Sequence, residues 1–305
     1  MSGATTINVA LDWTPNTIHT GLFVAVAKGI YASAGLSVNL VSPGPDYNLT
    51  PAKRLEQGEV DLAICPSESC IAYNETRRLR LQAIYAILQK DASAIVSLKP
   101  EFSSIDALDK AVYGSYNAKY EDHVVRAMVG AGGGGENGRG MRIKSEVGKL
   151  SLFEELKKGT VDATWIFLPW EGVEAESEGA ELNVFKTEDY GVPYGYSPVI
   201  ARNVDGKLSA KSLRAFVRAT REGYAFAMEH PSEAAAIVGK HCQPQRSPEF
   251  LEQSQKAINE YYTDGAAPGA MQAQKWITWV EWLKKQGLLK ADIRIDDLFT
   301  AEFTS

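Results

Sequence analysis

Strand-length apolar runs alternate with segments of helical period through residues 7–91, and this alternation constrains the fold more than any other feature of the sequence. Ile7-Asn8-Val9-Ala10-Leu11 reads as a short buried strand, with further strands at 36–41, 60–64 and 81–88. Helical stretches fall at 21–30 and 49–58, the second with Pro51 in its first turn, where a missing N–H costs nothing. Such alternation predicts a parallel, doubly wound sheet. The rhythm breaks near residue 91. Ala94-Ile95-Val96-Ser97 follows Lys90-Asp91 with no helix between, which calls for an antiparallel return or a crossing into a second lobe.

A second strand–helix series then begins. Strands are expected at 111–113, 141–143, 161–166 and 183–186, helices at 118–131 and 152–158, and a strand at 197–201 returns to the first lobe. From Ser209 onward the chain is nearly all helix. Leu213, Phe216, Val217, Thr220 and Tyr224 form one stripe, and Trp276, Trp279, Val280 and Leu283 repeat at helical spacing, a pattern of core packing. The expected architecture is α/β, with two doubly wound lobes, two crossings near 88–94 and 187–198, and a cleft between the lobes that encloses a small ligand. Lobe one comprises 1–91 and 199–305, lobe two 92–198. No repeat array appears. The glycine-rich run 132–140 follows a helix rather than preceding one, so it reads as a surface connection and not a phosphate loop.

The net charge of −6 argues against nucleic acid or an anionic membrane as the main partner. No apolar run is long enough to span a bilayer, and no charged segment followed by an apolar stretch opens the chain at Met1-Ser2-Gly3. The sequence as it stands therefore reads as cytoplasmic, or as periplasmic if it is a trimmed mature form. Its three cysteines, Cys65, Cys70 and Cys242, give no disulfide framework, and with four scattered histidines they give no metal site. No cofactor is expected.

In an open α/β sheet, ligands bind beyond the carboxyl ends of strands. Four such ends carry polar and aromatic groups: Asp12, Trp13, Asn16 and His19; Ser67 and Glu68; Ser115, Tyr116 and Asn117; Trp165, Trp170 and Glu171. Indole and phenol faces stack on a flat ring. Glu171 can accept from an exocyclic amine and pair with a protonated ring nitrogen. Ser115 and Asn117 stand at an expected helix start, where open backbone N–H groups favour a carbonyl oxygen or an anion. Lys119 is the one basic residue near these segments, so the mix suits a polar heteroaromatic better than a sulfonate or nitrate. The competing readings are structural: Trp165 as core, Glu68 as a cap, His19 as a satisfied interior histidine.

Leu11-Asp12-Trp13-Thr14-Pro15-Asn16-Thr17-Ile18-His19-Thr20-Gly21-Leu22, Gly114-Ser115-Tyr116 ahead of Tyr120-Glu121, Trp170-Glu171-Gly172-Val173-Glu174-Ala175-Glu176, and Leu298-Phe299-Thr300-Ala301-Glu302-Phe303 resemble the ThiY-like proteins. Those proteins bind a formylated aminopyrimidine, a salvage precursor of thiamine. They group with the SsuA-like binding proteins and with the fungal and plant thiamine-pyrimidine synthases. The resemblance implies a type II periplasmic-binding-protein fold and an aminopyrimidine ligand, with a transporter as partner if the chain is exported. The synthase branch would need a Schiff-base lysine and a donor histidine where this chain has Cys65 and Ser69. It would also need a cysteine-rich iron site near 191–197, where this chain has no cysteine. Three readings follow: an aminopyrimidine binder; an enzyme, either a divergent pyrimidine synthase or a hydrolase using Glu68, His19 or Cys65; and a binder of another flat heterocycle such as a pyridoxal or flavin derivative.

Overall fold

A computed structural model describes residues 4–44, 47, 49–135, 138–145 and 150–304. Met1, Ser2, Gly3, Pro45, Glu136 and Asn137, and with them the expected reading of the first residues and part of the glycine-rich run, lie outside the described residues. The chain divides into two units, residues 1–91 with 195–305, and residues 92–194.

The strands in chain order are β1 (Thr5–Ala10), β2 (Leu36–Val41), β3 (Leu62–Cys65), β4 (Leu81–Ala86), β5 (Ser93–Ser97), β6 (Val112–Gly114), β7 (Arg142–Lys144), β8 (Ala163–Phe167), β9 (Asn183–Phe185) and β10 (Val199–Asn203). The α-helices are α1 (Thr20–Ala27), α2 (Ile30–Ser33), α3 (Pro51–Glu56), α4 (Ser67–Thr76), α5 (Glu121–Ala131), α6 (Leu152–Lys157), α7 (Val173–Ser177), α8 (Ala210–Glu229), α9 (Pro231–Gly239), α10 (Pro248–Asn259), α11 (Ala273–Lys285) and α12 (Ile295–Leu298).

The first unit holds a five-stranded sheet in the order β2-β1-β3-β10-β4. Strand β1 is parallel to β2 and β3, whereas β10 is antiparallel to both of its neighbours. The second unit repeats this plan as β7-β6-β8-β5-β9, with β5 antiparallel to β8 and β9. The sheets are thus mixed rather than wholly parallel as expected. The reversed strand in each, β5 or β10, is the first laid down after the chain enters that unit. No helical crossover feeds it, so the parallel rule does not bind it. The break near residue 91 resolves as a crossing, since β4 and β5 belong to different sheets.

The two sheets also share a local device. Gly58-Glu59-Val60-Asp61 precedes β3 and Gly159-Thr160-Val161-Asp162 precedes β8. Each glycine leaves a helix with left-handed backbone (φ +74° and +73°), which a residue without Cβ adopts freely. Each aspartate then accepts from a backbone N–H of the adjacent strand: Asn8 within β1 to Asp61 at 2.8 Å, and Val112 at the start of β6 to Asp162 at 2.7 Å. The expectation of no repeat holds for short-period arrays but misses this recurrence.

Helix starts follow their caps. Thr50 accepts from Lys53 N ahead of Pro51, Ser209 from Ser212 N, and Ser247 from Phe250 N ahead of Pro248. Helix α5 begins at Glu121 rather than at 118, because the preceding turn is tied up as described below. The α8 stripe and the four α11 residues are buried, as core packing requires. Helices α1 and α8 cross at glycines: a Cβ on Gly223 would lie 2.0 Å from the Gly21 carbonyl oxygen, and one on Gly21 would strike the Tyr224 ring at 2.3 Å. In the second unit, Ala94, Val96, Phe153, Leu156, Val161, Ile166 and Ala175 form one core cluster.

Candidate functional site

The first unit's candidate residues cluster beyond the carboxyl end of β1. Asn16 caps a short 3₁₀ turn, Thr17–His19, its side-chain oxygen accepting from Ile18 N at 2.8 Å. Asn16 N in turn donates to His19 Nδ1 at 3.3 Å, so the capping box closes on itself. Because Nδ1 accepts, the neutral imidazole carries its proton on Nε2 and donates it to Asp12 Oδ1 at 2.7 Å. His19 is fully buried with both ring nitrogens engaged. The ring is thus held against Asp12, the arrangement of the interior-histidine reading. Asn16, also buried, spends its amide on the Thr14 carbonyl. Asp12 and Trp13 remain partly exposed.

Hydroxyls from α8, α10 and the turn after α10 hold this turn. Tyr224 donates to the Ile18 carbonyl at 2.7 Å and Tyr262 to the Thr17 carbonyl at 2.5 Å, while the Thr17 and Ser254 hydroxyls lie 2.7 Å apart. Buried carbonyls left without donors would each cost about 1–3 kcal/mol, so these contacts fix where Trp13 is presented.

Tyr47, which the sequence did not single out, joins the cluster. Its ring centroid lies 5.9 Å from that of Trp13 at 55°, and its hydroxyl donates to the Asp12 carbonyl at 2.5 Å. Its φ of +47° is left-handed, a conformation that costs a bulky residue of order 1–3 kcal/mol. The available signal was positional: an aromatic residue in a Pro/Gly loop beyond the carboxyl end of β2.

Cys65 ends β3 close by. Its neighbour Cys70, then burial and the charge of Asp12, push its thiol well above the ordinary range. A buried thiol held protonated is a weak nucleophile. Ser67 and Glu68 open α4, both buried. The Ser67 N–H is taken by the Tyr196 carbonyl at 2.9 Å, and its side chain sits so close under Gly195 that a Cβ there would lie 2.4 Å from Oγ.

In the second unit, the turn after β6 is closed by a buried carboxylate. Glu121 accepts from Tyr113 Oη at 2.8 Å, Tyr116 N at 3.0 Å and Ala118 N at 3.1 Å. Ser115 donates to Asp122 at 2.6 Å and accepts from Asn117 N at 3.0 Å, and Ser115 N goes to the Lys144 carbonyl at 3.1 Å. The N–H groups expected to be open at 115–117 are therefore all used, a correction to the anion-cradle reading. Ser115 is a buried structural hydroxyl, and Asn117, at φ +60°, is exposed.

Trp170 and Glu171 sit in a π-helical turn, Leu168–Gly172, after β8, a form of helix that recurs at functional sites. Glu171 folds back to accept from Phe167 N at 3.0 Å. It also lies near enough to Tyr116 that, after burial, its charge is the next cause holding that phenol well above its ordinary value. Tyr116 thus stays a protonated donor beside a carboxylate, and this pair is the one the second unit brings together. Trp165 is almost wholly buried against Tyr194, with centroids 5.1 Å apart, which favours the core reading. Among the described residues, no group of three or more His, Cys, Asp or Glu is placed to hold a metal ion. No helix among them is long and apolar enough to cross a membrane.

Comparison with known proteins places these features in context. The NMT1/THI5-like family profile matches residues 16–234. The formylaminopyrimidine-binding protein of Halalkalibacterium halodurans is 26% identical over 304 residues, spanning 97% of this chain and 90% of that protein. The alkanesulfonate-binding protein SsuA of Xanthomonas axonopodis pv. citri, solved with MOPS bound, superposes with a TM-score of 0.73 at 11% identity, over 98% of this chain and 99% of that one. A Candida albicans protein described as having the generic periplasmic binding protein fold gives a TM-score of 0.68 at 16% identity, over 97% and 96% of the two chains. The fold is that of the periplasmic binding proteins, as expected.

Proposed function

We propose that this chain, which belongs to the NMT1/THI5-like family, binds a small aminopyrimidine precursor of thiamine, of the formylaminopyrimidine type. One observation carries the reading: a partly exposed Trp13 stands on a turn fixed by Asn16, His19 and Asp12, in a chain similar along nearly its whole length to a formylaminopyrimidine-binding protein. A locked indole presents a flat apolar face at little entropic cost. Trp13 stacks the pyrimidine, and Asp12 offers the ring edge a carboxylate whose other oxygen His19 holds in place.

Binding without turnover is the simpler reading. Cys65 and Ser69 offer neither an amine for a Schiff base nor an imidazole to donate a ring. A solute binder hands its ligand on, so the partner is a membrane transporter if the chain works in the periplasm and a soluble consumer if it works in the cytoplasm. The net charge of −6 weighs against nucleic acid in either place.

Thermal-shift measurements test the residue roles. Ligand at about 100 times its Kd stabilises a one-site binder by about 2.7 kcal/mol. Formylaminopyrimidine should raise the melting temperature of the wild type, and Trp13→Ala should lose most of that rise while melting within a few degrees of the wild type alone. Asp12→Asn should weaken binding about tenfold or more, as expected for one charge-assisted hydrogen bond. An undiminished ligand shift in Trp13→Ala would remove Trp13 from the site.

A further inference from the structure

Tyr47 and Trp13 form an aromatic corner. Their ring planes meet at 55° with centroids 5.9 Å apart. That spacing leaves no room for a third ring stacked between them, since each stacking step needs about 3.5 Å. It does leave room for one flat ring laid on the indole with its edge turned to the phenol, the edge-to-face arrangement aromatic groups favour. The phenol is not free to swing aside, because its hydroxyl is tied to the Asp12 carbonyl at 2.5 Å. Its backbone is left-handed at φ +47°, a conformation kept only where the surroundings impose it, and such outliers concentrate at ligand clamps. Burial, and after it the charge of Asp12, hold the hydroxyl protonated, so the tie persists at neutral pH.

We propose that Tyr47 is a ligand-contacting, size-selecting residue. It forms the side wall against which a single six-membered heteroaromatic ring fits and a fused bicycle does not. The inference rests on the function proposed above and extends it from a ligand class to a limit on ligand width. Asp12, on the same turn, supplies the polar edge, so the selected ligand is a monocycle bearing an exocyclic amine.

Calorimetric titration of the full chain with formylaminopyrimidine and with 4-aminoquinazoline, its fused-ring counterpart, tests this. The wild type should prefer the monocycle. Tyr47→Ala should bind formylaminopyrimidine about tenfold or more weakly, and its preference over 4-aminoquinazoline should shrink or reverse. Tyr47→Phe keeps the ring but loses its tie to the Asp12 carbonyl, so its preference should fall between those of the wild type and Tyr47→Ala. A residue that merely supports the fold would weaken both ligands by one factor and leave their ratio alone, so an unchanged ratio in Tyr47→Ala overturns the proposal. Should the wild type bind no formylaminopyrimidine, the proposed function fails by itself. The same ratio test on pyridoxal phosphate and riboflavin then reads Tyr47, and a wild type that binds none of these rings overturns both.

Discussion

At Glu121 a carboxylate is buried among three donors, and burial still outweighs them, holding its pKa above the ordinary 4.5. The protonated form is favoured on folding, so the folded chain takes up a proton between 4.5 and the raised value. Across that window this group's contribution to stability falls as pH rises, and above it the penalty is constant. Glu121→Gln cannot titrate. The unfolding free energy of the wild type relative to this variant should therefore decline as pH rises through the mildly acidic range; a difference that stays flat would contradict the assignment. Glu121 was legible in the sequence only as part of a motif, because nothing in its spacing says that it reaches back to 116 and 118. His19 illustrates the same limit. Its closeness to Asp12 and Asn16 could be read from the chain, but which ring nitrogen bonds to which group depends on how the turn folds. Tyr47 was missed because its loop carries no periodic pattern, and its partners Trp13 and Asp12 lie more than thirty positions away.

Among the elements, the strands were the most legible part of the fold. β3, β4 and β5 are buried at every position and so read as apolar runs, broken only by Gln82 and by the serines at the ends of β5. The direction of β5 and β10 was not legible, since pairing sense is decided by chain path and not by composition. The Gly-x-Val-Asp recurrence was also hidden, because its copies lie about a hundred residues apart in otherwise unlike surroundings. Its role is now specific: each aspartate accepts one N–H of the adjacent strand, and Asp162 also pairs with Lys99. Asp61→Ala and Asp162→Ala should each lower stability by about 1–3 kcal/mol, read from urea midpoints. Asp61→Asn, which keeps an acceptor oxygen, should recover most of the loss, and Asp162→Asn less of it, because the ion pair with Lys99 is not restored. An alanine variant as stable as the wild type would show that the bond is incidental.

For the molecule as a whole, two sheets with one strand order arise from a chain that crosses between units twice, and family membership follows from a match over most of the sequence. The fold could be read in advance because strand–helix alternation and its single break are properties of composition along the chain. The ligand class could be read only through the resemblance, since stacking aromatics and a carboxylate suit many flat rings. The central claim is that this chain takes up a formylaminopyrimidine. Calorimetric titration of the full wild-type chain with that compound tests it most directly. The account predicts saturable one-site binding with a Kd in the micromolar range or tighter, near −8 kcal/mol or beyond; the absence of any heat or saturation up to millimolar ligand would contradict it.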